Sequence, residues 1–268
     1  MSVQTLYTAA TGMQALETKL DVIANNLANV NTTGFKKGRA NFEDLFYRHE
    51  AMPGATDSAG GQTATGTSIG LGTRVSSVQT NFQQGAFELT GNQYDVAIEG
   101  PGFFQVQDPT TQGIVYTRSG NFSLNANGQL VLGSASTGRV LQPPITIPPD
   151  ATNISIQADG TVLVRQPGST TSSNQGQLQI ASFVNPEGLL KLGENLFQTT
   201  DASGTENLQN PGSNGLGQLK QGALEASNVE PVQELIDLIT TQRSFELNSQ
   251  AVQAGDQVLQ LIANLRRS

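Results

Sequence analysis

The positions of Gly and Pro limit where this chain can form long helices. Of its 29 glycines, 25 lie between Pro53 and Gly222, and so do ten of its 11 prolines. Gly disfavours a helix through backbone entropy, and Pro does so because it lacks an N–H and clashes with the preceding turn. The 268 residues therefore divide into two ends that can hold long helices and a middle composed of strands and turns.

Apolar residues of the N-terminal segment recur at alternating spacings of three and four. They are Leu6, Ala9, Met13, Leu16, Leu20, Ile23, Leu27 and Val30. This spacing places one apolar stripe along a helix, and its seven-residue repeat is typical of left-handed coiled coils. The pattern predicts a helix over residues 6–30, ended by poor helix formers and by Gly34 as a C-terminal glycine.

The C-terminal segment predicts a second long helix. We assign its N-cap to Asn228, which places Pro231 at the third helical position, where no N–H partner is required. The apolar residues that follow are interrupted at Gln242, Ser249 and Asp256. They are Val232, Leu235, Leu238, Ile239, Phe245, Val252, Leu259, Ile262 and Leu265. Two such helices bury too little surface to offset their ordering entropy, so we expect both to become ordered only when copies of the chain pack together.

The middle of the chain predicts β structure, which makes the fold α+β and mainly β. The pairs Asn127-Gly128 and Asp159-Gly160 are typical of hairpin turns. The predicted strands cover residues 94–99, 103–107, 114–117, 129–132, 154–157, 161–164 and 177–184. Residues 145–147 stand between pairs of prolines and predict an edge or linker strand. Residues 51–73 carry one charged side chain, Asp57, and predict a long loop or extended arm.

The composition argues against enzyme chemistry and against several kinds of partner. There is no Cys, His49 is the single His, and 14 basic against 22 acidic residues give a net charge of −8. Thiol catalysis and disulfides are impossible, and the acidic balance repels nucleic acid and anionic membranes. Gly66, Gly70 and Gly72 are not followed by the Gly-Lys-Ser/Thr of a phosphate loop. We expect no enzyme activity, no catalytic residue, no cofactor and no metal. No run of about 18 apolar residues occurs to span a membrane, and because Met1 to Ala10 carries no basic residue we expect no cleaved signal peptide.

Two terminal motifs resemble those of bacterial flagellar rod and hook proteins. Residues 24–36 are similar to the N-terminal signature of that family, and residues 227–232 with 242–246 are similar to its C-terminal signature. The motif residues are Asn25, Asn26, Asn29, Asn31, Thr33, Gly34, Phe35, Ser227, Asn228, Gln242 and Arg243. Residues 95–104 and 116–122 resemble the β region that the family shares, so the resemblance covers nearly the whole chain.

The resemblance implies a structural subunit of the basal body that self-assembles into the straight helical distal rod, the drive shaft that carries motor torque across the periplasm to the hook. Residues 216–225 resemble the distal rod's run into its last helix. Residues 52–75 resemble its arm, which the resemblance implies stiffens the polymer. A proximal rod or hook subunit is the alternative within the family. A secreted β-rich carbohydrate-active protein is a remote alternative.

The resemblance also implies the domains, the partners and the location. A helical coiled-coil domain comprises residues 1–32 and 228–268, a connecting domain with the arm comprises 33–90 and 208–227, and a β-rich outer domain comprises 91–207. The partners are other copies in a helical homopolymer, proximal rod proteins, the hook protein, the peptidoglycan-layer and outer-membrane ring proteins, and the flagellar type III export apparatus. The location is the periplasmic rod, reached by export without a cleaved signal peptide. The expected assembly interface consists of Leu6, Met13, Leu16, Leu20, Ile23, Leu27, Val30, Leu235, Leu238, Ile239, Phe245, Val252, Leu259 and Ile262.

Overall fold

A computed structural model describes residues 3–54, 56, 61, 64–109, 112–133, 138–168 and 171–265. The chain forms two compact units and passes between them four times. Unit 1 comprises residues 1–28, 38–80 and 230–268, and unit 2 comprises residues 29–37 and 81–229. Mainly β structure lies between one helix at each end of the chain, which confirms the coarse fold class.

Unit 1 combines the two long helices with two antiparallel sheets of two strands each. Its elements are α1 (Val3–Ala28), β1 (Gly38–Asp44), β2 (Tyr47–Ala51), β3 (Thr67–Gly70), β4 (Thr73–Thr80) and α2 (Pro231–Leu265). Strand β1 pairs antiparallel with β4, and β2 pairs antiparallel with β3. Helix α1 packs against α2 and against both β1 and β4.

Both helix boundaries differ from the predicted ones. Helix α1 ends at Ala28 rather than at residue 30. The chain turns there, because Thr32 donates its N–H to the Asn29 carbonyl and its hydroxyl to the Asn29 side chain, both at 3.1 Å. Helix α2 begins with Pro231 at its first position, where Pro is favoured. The N-cap assignment of Asn228 was wrong, because that side chain bonds to other backbone groups of unit 2.

Unit 2 contains sixteen strands among its described residues. They are β5 (Phe87–Leu89), β6 (Val96–Glu99), β7 (Phe103–Gln107), β8 (Ile114–Thr117), β9 (Phe122–Leu124), β10 (Leu130–Leu132), β11 (Val140–Gln142), β12 (Asn153–Ile156), β13 (Thr161–Arg165), β14 (Ser173–Gln177), β15 (Ile180–Ser182), β16 (Leu190–Gly193), β17 (Leu196–Gln198), β18 (Asn207–Gln209), β19 (Gln218–Gln221) and β20 (Ala223–Glu225). A 3₁₀ turn, Pro186–Gly188, precedes β16.

Antiparallel pairing organises these strands into four sheets. The largest has nine strands, in the order β16-β17-β8-β7-β11-β10-β9, with β15 on β7 and β18 on β15. Strands β12, β13 and β14 form a second sheet, and β6 with β19 and β5 with β20 form two-stranded ribbons. The core between them is mainly aliphatic and includes Val96, Ile98 and Val106, with Phe104 and Phe122 as its aromatic members. A second cluster gathers five aromatic rings, Phe82, Phe103, Tyr116, Phe183 and Phe197.

Several strand predictions are confirmed and others are wrong. Strands β7 and β8 have the predicted bounds. The predicted strand over 177–184 is divided between β14 and β15. Residues 145–147 form no strand. Ile145 and Ile147 are 3% and 1% exposed in the core, and only Thr146 bridges to Gln129. The flanking prolines cannot donate ladder hydrogen bonds, so this segment contributes side chains rather than sheet pairing.

The segment predicted as an arm is only partly loop. Strand β3 and the start of β4 lie within residues 52–75, so the second half of the segment belongs largely to the two sheets of unit 1. Residues 55, 57–60 and 62–63, including Asp57, lie outside the described residues. Neither helix of the described chain is long and apolar enough to cross a membrane.

Candidate assembly interface

The terminal helices of unit 1 lie antiparallel. Asn26 of α1 bonds to Glu234 of α2 at 3.2 Å. A β-carbon built on Gly12 would lie 3.3 Å from Nδ2 of Asn248, and one on Gly255 would lie 2.5 Å from Leu6. The residue numbers of these pairs add to 260 or 261, so one register holds along the helix pair.

The face of α2 that meets α1 is more regular than the apolar residues alone indicate. Glu234, Thr241, Asn248 and Gly255 follow one another at intervals of seven, and Glu234 and Thr241 are 6% and 2% exposed. Partly buried apolar residues accompany them at the same interval, namely Leu238, Phe245, Val252 and Leu259. We call this contact face of α2 the inner seam. It continues past the positions where the apolar repeat is interrupted, because layers of apolar residues alternate with layers of polar or small residues.

A second group of apolar residues on α2 is exposed. Of the predicted interface residues, Leu235 and Ile239 are 45% and 48% exposed. We call the exposed apolar side chains of this helix the α2 stripe. They are Val232, Leu235, Ile236, Ile239, Leu247 and Leu261. The structure thus separates the predicted α2 residues into an inner seam and an outer stripe. The side chain of Ile262 lies outside the described residues.

The predicted residues of α1 are partly or fully buried within the chain. Ile23 is 4% exposed, and Leu6, Met13, Leu16, Leu20 and Leu27 are partly buried. Val30 is partly buried and lies beyond the helix end. A neighbouring face of α1 lines a cleft of about 290 Å³ with Leu45 and β4, where the Thr73 N–H donates to the Thr11 hydroxyl at 3.4 Å.

Asn26 joins three elements of unit 1. Its Oδ1 accepts the N–H of Gly38 at 2.8 Å, and its Nδ2 donates to the Gly38 carbonyl at 2.9 Å and to Oε2 of Glu234 at 3.2 Å. It is 2% exposed. A side chain with a donor and an acceptor on one carbon is required for these contacts, which Asp cannot supply when ionised.

The other signature residues have different environments. Asn25, Asn31, Gln242 and Arg243 are exposed, and Asn29 and Ser227 bond within local turns. The backbone carbonyl of Thr33 accepts a hydrogen bond from Nδ2 of Asn195 at 2.8 Å. Nζ of Lys191 lies 5.8 Å from the centre of the Phe35 ring. Asn228 accepts the Lys37 N–H at 2.8 Å and donates to the carbonyls of Asn81 and Gln83 at 2.8 and 3.0 Å.

Gly34 is not a helix cap. It has a φ of +71°, and a β-carbon there would lie 2.8 Å from the backbone nitrogen of Ser119. Its N–H donates to the Glu225 carbonyl at 2.7 Å. Only Gly combines this left-handed backbone with so close an approach. The N-terminal signature is therefore fixed to two distant segments of unit 2.

A buried ion cluster in unit 2 joins one residue from each of three motif segments, 24–36, 116–122 and 216–225. Nζ of Lys36 lies 2.5 Å from Oε1 of Glu225, and Nε of Arg118 lies 3.2 Å from Oε2, with all three side chains at most 4% exposed. Oε1 also accepts the Gly85 N–H at 2.9 Å. Arg118 donates to the carbonyls of Gly100 and Gly102. Burial lowers the pKa of Lys36 and of Arg118, and Glu225 opposes both changes.

No cluster of three or more His, Cys, Asp or Glu side chains that could hold a metal occurs within the described ranges. His49 lies exposed on β2. Arg118 and Arg139 each form ion pairs within unit 2, and these ion pairs give both side chains a structural role. The candidate site is therefore the packed helix pair with its exposed α2 stripe, together with terminal motifs held by hydrogen bonds and ion pairs.

Known families match three parts of the chain. Residues 6–36 match the model described as "Flagella basal body rod protein", residues 97–164 match "Flagellar hook protein FlgE/F/G D1 domain", and residues 220–265 match "Flagellar basal body rod FlgEFG protein C-terminal". These regions contain both terminal helices and much of the central β structure.

Full-length relatives decide the family. The chain is 43% identical to flagellar basal-body rod protein FlgG of Buchnera aphidicola, over 97% of this chain and 98% of that protein. It is 43% identical to the FlgG protein of Caulobacter vibrioides and 41% to that of Bacillus subtilis, over 98% of this chain and 99% of each relative. The chain belongs to the flagellar basal-body rod protein family. It is a structural subunit of the rod. Its relatives are structural rod proteins as well.

Among solved structures, the flagellar hook protein FlgE2 of Helicobacter pylori is similar at 13% identity and a TM-score of 0.23, over 71% of this chain and 43% of that one.

Sequence reasoning missed the polar half of the helix seam and the ion cluster. Glu234, Thr241 and Asn248 are polar, so an apolar repeat does not include them, although their interval of seven was available as a signal. Lys36, Arg118 and Glu225 stand far apart in sequence.

Proposed function

We propose that this subunit forms the distal rod, a straight helical homopolymer that carries motor torque across the periplasm to the hook. The α2 stripe carries the proposal. Six large apolar side chains lie exposed on one helix, with Val232 72% and Leu247 65% exposed. Isolated soluble proteins rarely leave such a surface uncovered, and an identical subunit is the partner that a rod supplies in every copy.

The terminal helices form the inner helical domain of the proposed polymer. The antiparallel register and the seven-residue repeats support supercoiling of α1 with α2 into a coiled coil. Residues 1–32 and 228–268 are then the helical domain, 33–90 and 208–227 connect it, and 91–207 form the outer β domain. The predicted residues of α1 and the inner seam hold each subunit's helix pair, and the α2 stripe contacts the next subunit.

The segment over residues 52–75 acts as a stiffening arm. The β2–β3 hairpin, whose second strand lies in this segment, supports this role, because every residue of β2 and most of β3 are exposed and available to a neighbouring subunit. Aromatic and aliphatic side chains continue the surface, with Phe46 88% and Met52 63% exposed.

The proposed neighbours follow from the position of a distal rod. They are proximal rod proteins at one end, the hook protein at the other, and the peptidoglycan-layer and outer-membrane ring proteins around the shaft. The subunit reaches the periplasm through the flagellar type III export apparatus. The charged fraction of 13% is consistent with a polar, weakly charged shaft surface that turns inside rings.

Electron microscopy of the concentrated protein tests the proposal. We expect straight tubes from the unaltered chain and none from an Ile236→Ser/Ile239→Ser variant, which removes two side chains of the α2 stripe. Leu89→Ser is the matched control, because Leu89 is 76% exposed in unit 2 and lies outside the stripe. Curved tubes favour a hook subunit, the alternative within the family. Straight tubes from the double variant contradict the assignment of the stripe.

A further inference from the structure

The apolar repeats of the two terminal helices do not by themselves determine how the helices align. Leu6, Met13, Leu20 and Leu27 recur every seven residues on α1, and Leu238, Phe245, Val252 and Leu259 do so on α2. Sliding one helix by seven residues, about 10 Å, therefore brings apolar side chains opposite apolar side chains again. Something other than the apolar repeat must select the observed register.

The polar layers of the helix pair are not equivalent under such a shift. On α1, Gly12, Lys19 and Asn26 occupy one repeat position. In the observed register Asn26 meets Glu234, and both are buried. A shift of seven residues instead places Glu234 opposite Lys19, where an ion pair would compete with the observed contact.

The amide of Asn26 is suited to selecting between these registers. It makes three hydrogen bonds, two to the backbone of Gly38 and one to Glu234, so it ties the first turn of α2 to both α1 and the start of β1. A shift by seven residues removes the hydrogen bond from Asn26 to Glu234. Leaving the buried Asn26 amide without its charged partner costs free energy. In coiled coils a single buried Asn is known to determine register at some expense of stability.

We propose that Asn26 and Glu234 form a register latch that selects one alignment of α1 and α2 from those the apolar repeats allow. The latch thereby sets the height of the α2 stripe along the helix pair. A slipped α2 would present the stripe about 10 Å away from its position in a correctly aligned subunit. The latch concerns one subunit alone and does not depend on the proposed polymer.

Disulfide trapping in dilute, monomeric protein tests the latch, and the chain is suited to it because it contains no Cys. Gly12→Cys/Asn248→Cys reports the observed register, in which these positions are in contact. Gly12→Cys/Thr241→Cys reports the register slipped by seven residues. Each pair is placed in the unaltered chain and in an Asn26→Leu background, and intramolecular disulfide is measured by mass spectrometry after mild oxidation.

In the unaltered chain we expect disulfide from the first pair only. In the Asn26→Leu background we expect the ratio of disulfide formed by the first cysteine pair to disulfide formed by the second to fall about tenfold. The reason is that one hydrogen bond to a charged group distinguishes the two registers. Asn25→Leu, at an exposed neighbouring Asn, is the matched control and should leave the ratio unchanged. Glu234→Gln retains an acceptor for Asn26 and should also preserve the observed register.

Three results would overturn the latch. The first is equal trapping of both pairs in the unaltered chain, which means that no single register exists. The second is an unchanged ratio in the Asn26→Leu background. The third is loss of the first disulfide without gain of the second, whatever the helix content by circular dichroism, because Asn26 then stabilises the helices without selecting their register.

Discussion

Removing the charge of Glu225 should destabilise unit 2 more than removing that of Lys36. At neutral pH the buried cluster holds two cations, Lys36 and Arg118, around one carboxylate. Glu225→Gln leaves both cations buried without a counter-charge, and breaking a buried ion pair in this way costs about 3–5 kcal/mol. Lys36→Met leaves one cation beside one carboxylate, and the Gly85 N–H still bonds to Glu225. We expect that change to cost about 1–2 kcal/mol, since the hydrogen bonds of Nζ to Glu225 and to the Gln83 carbonyl are lost while one buried cation is also removed.

Urea denaturation gives the free energy of unfolding of both variants. Far-ultraviolet circular dichroism follows the unfolding, because the chain has no Trp whose fluorescence could report it. Glu194→Gln is the matched control. Glu194 lies 2.6 Å from Nη1 of Arg139, but its side chain is 57% exposed, and Asp108 remains 3.5 Å from Arg139. Such a pair contributes at most about 1 kcal/mol. If Glu225→Gln costs no more than Glu194→Gln, or Lys36→Met costs as much as Glu225→Gln, the charge argument is refuted.

Three further predictions follow from particular positions. Gly34→Ala should destabilise the protein by about 2 kcal/mol more than Gly91→Ala in urea titrations. Both glycines have φ near +70°, but only at Gly34 would the added carbon meet backbone, that of Ser119. Equal costs would mean that φ alone matters. Burial raises the pKa of Tyr116 from an ordinary 10.0 to about 12. The unfolded chain therefore loses this proton first, and stability should fall by about 2–3 kcal/mol as pH rises from 10 to 12. A Tyr116→Phe variant should lack that share of the decline, and an unchanged slope would contradict the assignment. Finally, amides of residues 251–265, where most described side chains are exposed, should exchange with solvent faster in the monomer than in the polymer. Full protection in the monomer would contradict this expectation.

The exposed α2 stripe also bears on an earlier expectation, that the terminal helices become ordered only on assembly. In the described fold α1 packs against β1 and β4 as well as α2, so it has more partners than a two-helix hairpin provides. Helix α2 has fewer, and its outer face remains open. Order on assembly therefore stays a prediction, and it applies best to the end of α2 over residues 251–265, where most described side chains are exposed.

Local patterns were sufficient for much of the fold. Alternation of three and four residues predicted α1, and Gly and Pro marked where the helices give way to strands. Strands β7 and β8 were predicted to the residue, because apolar runs with clear turn signals on both sides have few alternatives. The terminal motifs were enough to place the chain in its family, which full-length relatives confirm.

The sequence by itself determined the helical ends, the β middle, the absence of thiol chemistry and the family, because each depends on residues that are neighbours in the chain. Only the tertiary structure decided that Glu234 and Asn248 belong to the helix seam and that Leu235 and Ile239 lie outside it. It also decided that Lys36, Arg118 and Glu225 meet in one buried cluster. For the polar and charged residues the physical reason is the same. A polar or charged side chain is buried only where distant segments supply its partners, and no local repeat records those partners.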